Sequence, residues 1–192
     1  MELRRRKLIE TARKLFIERG FHATGVAQIA RESGIAVAQM YRDFASKEDV
    51  VAALAEEDCA GFLRADALKS AICSGDPDQT MTWLLGLLES DVDREGRRLF
   101  AEIIAESARN ERIASIFTSL QFELRSTVIA ALAQLAPDPG LEEQRSLIAD
   151  LILTFSLGLL HHQLMAPDLR VEGVIQAMQA FIKERVNALT AA

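Results

Sequence analysis

The feature that most constrains the fold of this chain is a helical spacing of apolar residues, which extends through nearly all of its 192 residues. Apolar side chains recur at intervals of three and four positions, and this interval places them on one face of a helix. The first such stripe contains Leu8, Ile9, Ala12, Leu15 and Phe16. No segment shows the strict alternation that is typical of a half-buried strand. We therefore predict an all-α protein of about nine helices.

Glycine, proline and short polar clusters interrupt this spacing and predict where the helices begin and end. Gly20 and Gly34 each follow a short apolar stripe, at positions where a glycine commonly ends a helix. Thr24 can cap the second helix, and Ser46–Asp49 has the form of a capping box that begins a long helix reaching about Ala71. The later helices are predicted over 77–90, 94–107, 110–135, 141–165 and 171–190.

Charge is distributed unevenly along the chain. The formal net charge is −6, yet residues 1–50 carry ten Lys and Arg against seven Asp and Glu, a net charge of +3. The remaining residues carry twelve against twenty-one, a net charge of −9. A small basic region followed by a larger acidic one is typical of proteins that present one part to phosphate groups. We therefore expect a basic N-terminal domain over 1–47 and an acidic one over 48–192.

The informative window is residues 24–50, where two short helices are joined at Gly34 in the pattern of a helix-turn-helix. Glycine supplies the left-handed turn that a side chain would resist. The residues spaced to pack the two helices together are Ile29, Ala30, Ile35 and Met40. The opposite face of the second helix is then free to meet another molecule.

That free face predicts contact with DNA. Gln39 can pair with the edge of a base such as adenine, Arg42 with guanine or a phosphate, and the Tyr41 hydroxyl with a phosphate. Lys47, at the start of the next helix, offers an ammonium beside free backbone amides and predicts a phosphate clamp. The predicted DNA-binding residues are Thr24, Val37, Gln39, Tyr41, Arg42 and Lys47. The basic run Arg4–Lys7 is either an arm that touches phosphate or a solvated helix start, and the sequence leaves both open.

Four segments of this region resemble the signature of the TetR, or tetracycline-repressor, family of transcriptional regulators: Gly20–Thr24, Ile29–Ala30, Gly34–Ile35 and Tyr41–Asp49. The resemblance implies a helix-turn-helix DNA-binding domain over 1–47 and a helical effector-binding and dimerisation domain over 48–192. It implies a cytoplasmic homodimer that binds an inverted-repeat operator in double-stranded DNA. It further implies a repressor that a small, mostly apolar effector releases from that operator.

The second helix of the helix-turn-helix, which the resemblance implies to be the recognition helix, departs from the usual family pattern at four positions. Ala36, Val37 and Ala38 stand where many members carry Ser, Lys and Gly, and Asp43 stands where Tyr or His is common. The helix is therefore poorer than usual in hydrogen-bonding groups. We expect specificity to depend on Gln39, on apolar contact with thymine methyl groups and on DNA shape.

Aromatic and aliphatic residues of the middle helices are candidates for an effector pocket, since similar proteins enclose one there. The predicted ligand-binding residues are Phe62, Trp83, Leu87, Phe100, Ile104 and Phe117. The alternative is that each of them simply belongs to the hydrophobic core. A related alternative for the whole protein is a DNA-binding dimer whose body binds no small molecule.

The last two helices are apolar over wide arcs, so a lone copy would expose one of these faces. Pairing with a second copy as a four-helix bundle would bury them. The predicted dimer-interface residues are Leu151, Phe155, Leu159, Met178 and Phe181. The apolar stretch 147–165 also resembles a membrane span, but it contains Asp150 and two histidines, and an interface explains it better.

The sequence carries only weak signs of catalytic or metal chemistry. A di-iron helical enzyme needs Glu-x-x-His pairs, and none of the three histidines follows a glutamate at that spacing. His161 and His162 are adjacent and do not share a helix face, so they cannot bind one ion as a helical pair. Cys59 and Cys73 are expected to be reduced core thiols. We therefore expect no enzymatic activity, no metal and no cofactor.

Overall fold

The computed structural model describes residues 2–89, 92–166, 168 and 170–190, and these are helical nearly throughout. The helices are α1 (Glu2–Arg19), α2 (Val26–Ser33), α3 (Val37–Asp43), α4 (Lys47–Phe62), α5 (Ala65–Ser74), α6 (Pro77–Gly86), α7 (Arg94–Ser107), α8 (Glu111–Leu135), α9 (Glu142–Met165) and α10 (Glu172–Thr190), with a 3₁₀ turn at Pro139–Leu141. The prediction of an all-α fold is confirmed.

The described residues form one helix more than predicted, because the predicted fourth helix is broken into α4 and α5. The sequence predicts a single helix from Ser46 to about Ala71, whereas α4 ends at Phe62 and α5 begins at Ala65. Between them Arg64 adopts a left-handed conformation with φ 45°. Its guanidinium Nη2 donates a hydrogen bond to the Glu89 carbonyl oxygen at 3.2 Å, a contact between residues far apart in sequence. Local propensity carried no signal for this contact, because Glu89 lies 25 residues away, beyond the end of α6.

By internal contacts the chain forms two compact units. The first contains Met1–Asp58 and Asp93–Leu120, so it combines α1–α3 and most of α4 with α7 and the start of α8. Its core joins Phe16, Ile29 and Met40 of the N-terminal helices to Leu99 and Ile103 of α7. This unit is therefore larger than the predicted 1–47 domain. That functional division remains a prediction.

The second unit contains Cys59–Val92 and Gln121–Ala192, which includes α5, α6, α9 and α10. Its core is built around Trp83 and Leu84 of α6, Leu132 of α8, Ile152 of α9 and Ile182 of α10. At the start of α6 the Asp76 carboxylate accepts a hydrogen bond from the Asp78 amide at 2.9 Å and so caps the helix.

Candidate nucleic-acid interface

The predicted helix-turn-helix is formed by α2, Gly34 and α3. Gly34 has φ 68° and its amide donates to the carbonyl oxygens of the last turn of α2, which ends that helix. The Ile35 amide then donates to the Ala30 carbonyl at 3.0 Å. Ile29 and Met40 are fully buried between the two helices. The angle between α2 and α3 is thus held by a glycine turn and a small apolar contact.

The outward face of α3 carries most of the residues predicted to touch DNA. Tyr41 is 54% exposed and Val37 is 42% exposed, an unusual exposure for large apolar side chains. Arg42 is exposed, and Gln39 is half-buried. The face therefore offers a hydroxyl, a guanidinium, an amide and an apolar methyl pair. These are the groups that read base edges and phosphates in a major groove.

Thr24 has a different position from the one predicted. The residue is 1% exposed. Its hydroxyl oxygen lies 2.9 Å from the Gly20 carbonyl oxygen and 3.2 Å from the Leu15 carbonyl oxygen, so the hydroxyl donates into this pair of acceptors. Helix α2 begins one residue later, at Val26 after Gly25, so the prediction that Thr24 caps it is wrong. The threonine instead closes the turn after α1, and its hydroxyl is not at the surface.

Lys47 also differs from expectation, because its ammonium points inward. Its Nζ donates to the Phe21 carbonyl oxygen at 2.8 Å and lies 3.9 Å from the centroid of the Phe21 ring. Burial lowers the pKa of Lys47, although Glu48 and Glu106 oppose this shift. The predicted capping box is confirmed, since Ser46 Oγ accepts from the Asp49 amide and the Asp49 carboxylate accepts from the Ser46 amide. The Lys47 ammonium therefore does not point outward, as the predicted phosphate clamp would require.

Helix α7 holds the turn between α1 and α2 with two carboxylates. Glu102 Oε1 accepts a hydrogen bond from the Phe21 amide. Glu106 Oε2 lies 2.7 Å from His22 Nε2 and 2.7 Å from Arg109 Nε. The hydrogen bond from Arg109, followed by the charge of His22, lowers the pKa of Glu106. We call these contacts to Glu102 and Glu106 the α7 clasp.

Sequence reasoning missed the α7 clasp. Glu102 and Glu106 lie about eighty residues beyond the turn that they hold. The available signal was a pair of acidic residues four positions apart, next to the buried Leu99 and Ile103. Residues at this spacing share one face of a helix, and an acidic pair beside a buried apolar stripe often has a buried partner.

The first turn of α1 is bound to the end of α3. Arg4 Nε and Nη2 donate to the two Asp43 carboxylate oxygens at 2.6 and 2.7 Å. The hydrogen bond from Arg4 lowers the pKa of Asp43. The guanidinium of Arg5 lies 5.0 Å above the ring of Phe44. Half of the basic run is thus engaged within the protein rather than forming a free arm.

The predicted ligand-binding residues fall into two groups. Phe62, Trp83 and Leu87 belong to the second unit, where Trp83 and Leu87 are buried in the core and Phe62 packs against it. Phe100 and Phe117 form a ring contact in the first unit, with centroids 6.2 Å apart. On α7 Ile104 is 38% exposed, one turn beyond Phe100.

A cavity of about 390 Å³ opens between α5 and α6. Among the described residues it is lined by Arg64, Ala67, Ser70, Ala71, Asp78, Gln79, Thr82 and Trp83. Trp83 is the member of the predicted ligand set at this cavity, and its indole N–H donates to the Leu63 carbonyl at 2.6 Å. The lining is more polar than the sequence led us to expect.

The last two helices leave an apolar face uncovered within the chain. Leu151, Phe155 and Met178 are half-buried, and Phe181 is 37% exposed with its ring 6.1 Å from that of Phe155. Leu159 is 3% exposed and belongs to the core, so its side chain is not available for a dimer interface. Further exposed apolar residues of α9 and α10, which the predicted set omitted, are Leu147, Leu157, Met165 and Val174.

The segment Pro139–Met165 is long and apolar enough to cross a membrane, by length and composition only. Of the 18 most apolar consecutive residues of this segment, 28% are buried inside the chain. Such a helix is weak evidence for a membrane, because a helix covered by a partner passes the same test. The flanking exposed apolar residues described above are consistent with such a partner.

The histidines and cysteines are the remaining residues that the sequence singled out. Within residues 2–89, 92–166, 168 and 170–190, no three His, Cys, Asp or Glu side chains are grouped as a metal site would require. His161 and His162 are both exposed. Cys59 is half-buried and Cys73 is exposed, so the expectation of two core thiols is wrong. Cys73 lies on α5, and the apolar pattern of this helix did not show that Ala71 is buried while Cys73 is exposed.

Comparison with known proteins identifies the N-terminal region. Residues 8–54 match the family model described as bacterial regulatory proteins, tetR family. The transcriptional repressor KstR2 of Mycobacterium tuberculosis is 45% identical over 60 residues, which are 31% of this chain and 28% of that protein. The transcriptional regulator AcrR of Shigella flexneri is 30% identical over 101 residues, which are 52% of this chain and 47% of that protein. The chain thus spans between about a quarter and a half of these curated relatives.

The fold extends the likeness to the whole chain. A transcriptional regulator structure from Pseudomonas aeruginosa PAO1 superposes with a TM-score of 0.74 at 20% sequence identity, and covers 100% of this chain and 92% of that one. This likeness shows the all-helical fold with its N-terminal helix-turn-helix. Residues 8–54, which form the helix-turn-helix, thus match the N-terminal domain of the tetR family of bacterial regulatory proteins.

Proposed function

We propose that this chain is a cytoplasmic transcriptional regulator that binds an inverted-repeat DNA operator as a homodimer. The observation that carries the proposal is the exposed face of α3, with Tyr41 and Arg42 beside an apolar Val37, inside the region matched by the family. The net charge of +3 over residues 1–50 supports contact with phosphates. KstR2 is described as a repressor, and this supports repression as the direction of control.

Selection of bound fragments from a pool of genomic DNA tests this proposal directly, because it returns the operator sequence. We expect an inverted repeat with half-sites separated by about one helical turn (~34–36 Å) or somewhat more. Recovery of no enriched sequence, together with no binding to any duplex at low salt, would refute DNA recognition.

Replacing Arg42 with alanine should lower operator affinity by about tenfold or more, since a good base or phosphate contact of arginine contributes about 1–3 kcal/mol. Arg98→Ala is the matched control, because Arg98 is exposed on α7 and outside the helix-turn-helix. Fluorescence anisotropy of labelled operator at several salt concentrations provides the measurement. Equal affinities for the two variants would remove Arg42 from the reading surface.

Dimerisation is supported by the uncovered apolar face of α9 and α10. Leu157 and Met165 are 54% and 71% exposed, and Phe181 adds an aromatic ring. Exposed large apolar side chains on two packed helices favour a protein interface. A twofold pair of these helices would make a four-helix bundle and would also set the distance between the two recognition helices.

We further propose that a small, mostly apolar molecule binds the body and lowers operator affinity. Two separate places support a ligand: the cavity at Trp83 in the second unit, and the apolar residues Phe100, Ile104 and Phe117 in the first unit. Helix α7 supports the coupling. Phe100 and Ile104 lie two positions from Glu102 and Glu106, hence about 200° around the helix from the α7 clasp. A ligand bound against Phe100 and Ile104 could therefore shift α7 and, through Glu102 and Glu106 on its other face, the turn before α2.

A screen of small hydrophobic compounds should find one that changes Trp83 fluorescence and releases the operator. A hundredfold loss of affinity requires only about 2.7 kcal/mol of coupling, which is ordinary for allostery. Ala67→Phe, placed in the lining of the cavity, should block the compound and leave operator binding intact. A compound that binds without altering operator affinity would contradict the coupling. A screen without any binder would favour a body that only dimerises.

A further inference from the structure

The last turn of the recognition helix ends in a carboxylate. Asp43 directly follows Arg42, the residue proposed to meet a base or phosphate. An uncompensated negative charge at this position would repel the DNA backbone, and like charges in an interface are costly. This chain therefore needs a reason to tolerate an aspartate there.

The structure supplies one in the first turn of α1. The planar guanidinium of Arg4 makes two parallel hydrogen bonds to the Asp43 carboxylate, at 2.6 and 2.7 Å. The Asp43 side chain is only 5% exposed, while that of Arg4 is 31% exposed. A bidentate pair of this kind has fixed geometry and nearly cancels both charges toward a third group. The carboxylate is thus shielded by the guanidinium.

A second contact fixes the same two segments. Arg5 covers the ring of Phe44, the residue that follows Asp43, and this ring is 2% exposed. Two consecutive residues of α1 therefore bind two consecutive residues at the end of α3. The pairing is not a chance surface contact of one long side chain.

We propose that Arg4 and Asp43 form a charge-cancelling pair that tunes DNA recognition, a role that rests on the proposed reading of DNA by α3. Arg4 is a positioning residue that keeps the Asp43 charge away from phosphate. Asp43 in turn cancels the positive charge of Arg4, so Arg4 does not strengthen nonspecific binding to DNA phosphates. Together they raise the ratio of specific to nonspecific binding.

The test compares binding of the selected operator and of a scrambled duplex over a range of salt concentrations. The variants are Arg4→Ala, Asp43→Asn and the double variant. Arg6→Ala is the matched control, because Arg6 is exposed on the same turn of α1 and its loss removes one positive charge without uncovering a carboxylate. Helix content by circular dichroism is measured for each protein. Arg4→Gln, which retains a donor to Asp43 without the charge, repeats the experiment with a milder structural change.

We expect Arg4→Ala and Arg4→Gln to weaken operator binding by about tenfold more than Arg6→Ala does. Adding Asp43→Asn to Arg4→Ala should restore affinity to the level of Arg6→Ala. Asp43→Asn alone should strengthen binding to the scrambled duplex severalfold and steepen the dependence of log K on log salt by up to ~0.9.

Two results would overturn the pairing: equal losses for Arg4→Ala and Arg6→Ala, or a double variant no better than Arg4→Ala. Either result with normal operator binding by the unmodified protein refutes only this inference. Failure of the unmodified protein to bind any duplex refutes the proposed function and the inference with it.

Discussion

Phe181→Glu should convert the protein to a monomer and lower operator affinity by about a hundredfold or more. Phe181 lies on the uncovered face of α9 and α10 and contacts Phe155. A carboxylate there would have to lose its water in the proposed four-helix bundle, at a cost of several kcal/mol. A pair with Arg185, whose guanidinium lies 5.0 Å from the centroid of the Phe181 ring, would not recover that cost, because the desolvation of a buried ion pair can exceed its Coulombic attraction. A monomer holds one half-site, and loss of the second attachment removes an avidity of about 10²–10⁴.

Phe122→Glu is the control for this experiment, since Phe122 is 71% exposed on α8 and is more accessible than Phe181. The same substitution there should leave both the dimer and operator binding unchanged. Light scattering at micromolar concentration gives the mass, and anisotropy gives the affinity. A Phe181→Glu protein that keeps the mass of two chains and full operator affinity would show that this face is not the interface.

Gly20→Ala should destabilise the first unit by about 2.5–5 kcal/mol. Gly20 has φ 85°, a conformation that costs an L-residue roughly 1–2 kcal/mol. A Cβ there would also lie 2.9 Å from Glu102 Oε1. That carboxylate can move aside only by giving up its hydrogen bond from the Phe21 amide, and a hydrogen bond to a charged group contributes about 1.5–3 kcal/mol.

Gly34→Ala separates these two costs. Gly34 has a similar φ of 68°, but a Cβ there would meet only the Lys7 ammonium, at an ordinary 3.9 Å. This variant should therefore lose about 1–2 kcal/mol, the conformational part alone. Urea unfolding followed by circular dichroism measures both. Equal losses would mean that the Glu102 contact of the α7 clasp contributes nothing to stability.

The sequence by itself determined the elements that depend on near neighbours. The helical spacing, the capping box at Ser46–Asp49 and the left-handed turn at Gly34 all act over a few residues, and the structure contains each of them. The same holds for the solvent-facing side of α3, because the apolar partners of Ile29 and Met40 decide which face remains outside. The exposed face of α3 was therefore largely predictable.

Only the tertiary structure decided which polar and apolar groups have distant partners. Lys47 turns inward because the Phe21 carbonyl and ring lie beside it, and Leu159 is buried because α9 packs on its neighbours. The α7 clasp and the Arg4–Asp43 pair join residues about eighty and forty positions apart. Local patterns act within a turn or two of helix, whereas these contacts form only once the chain has folded back on itself.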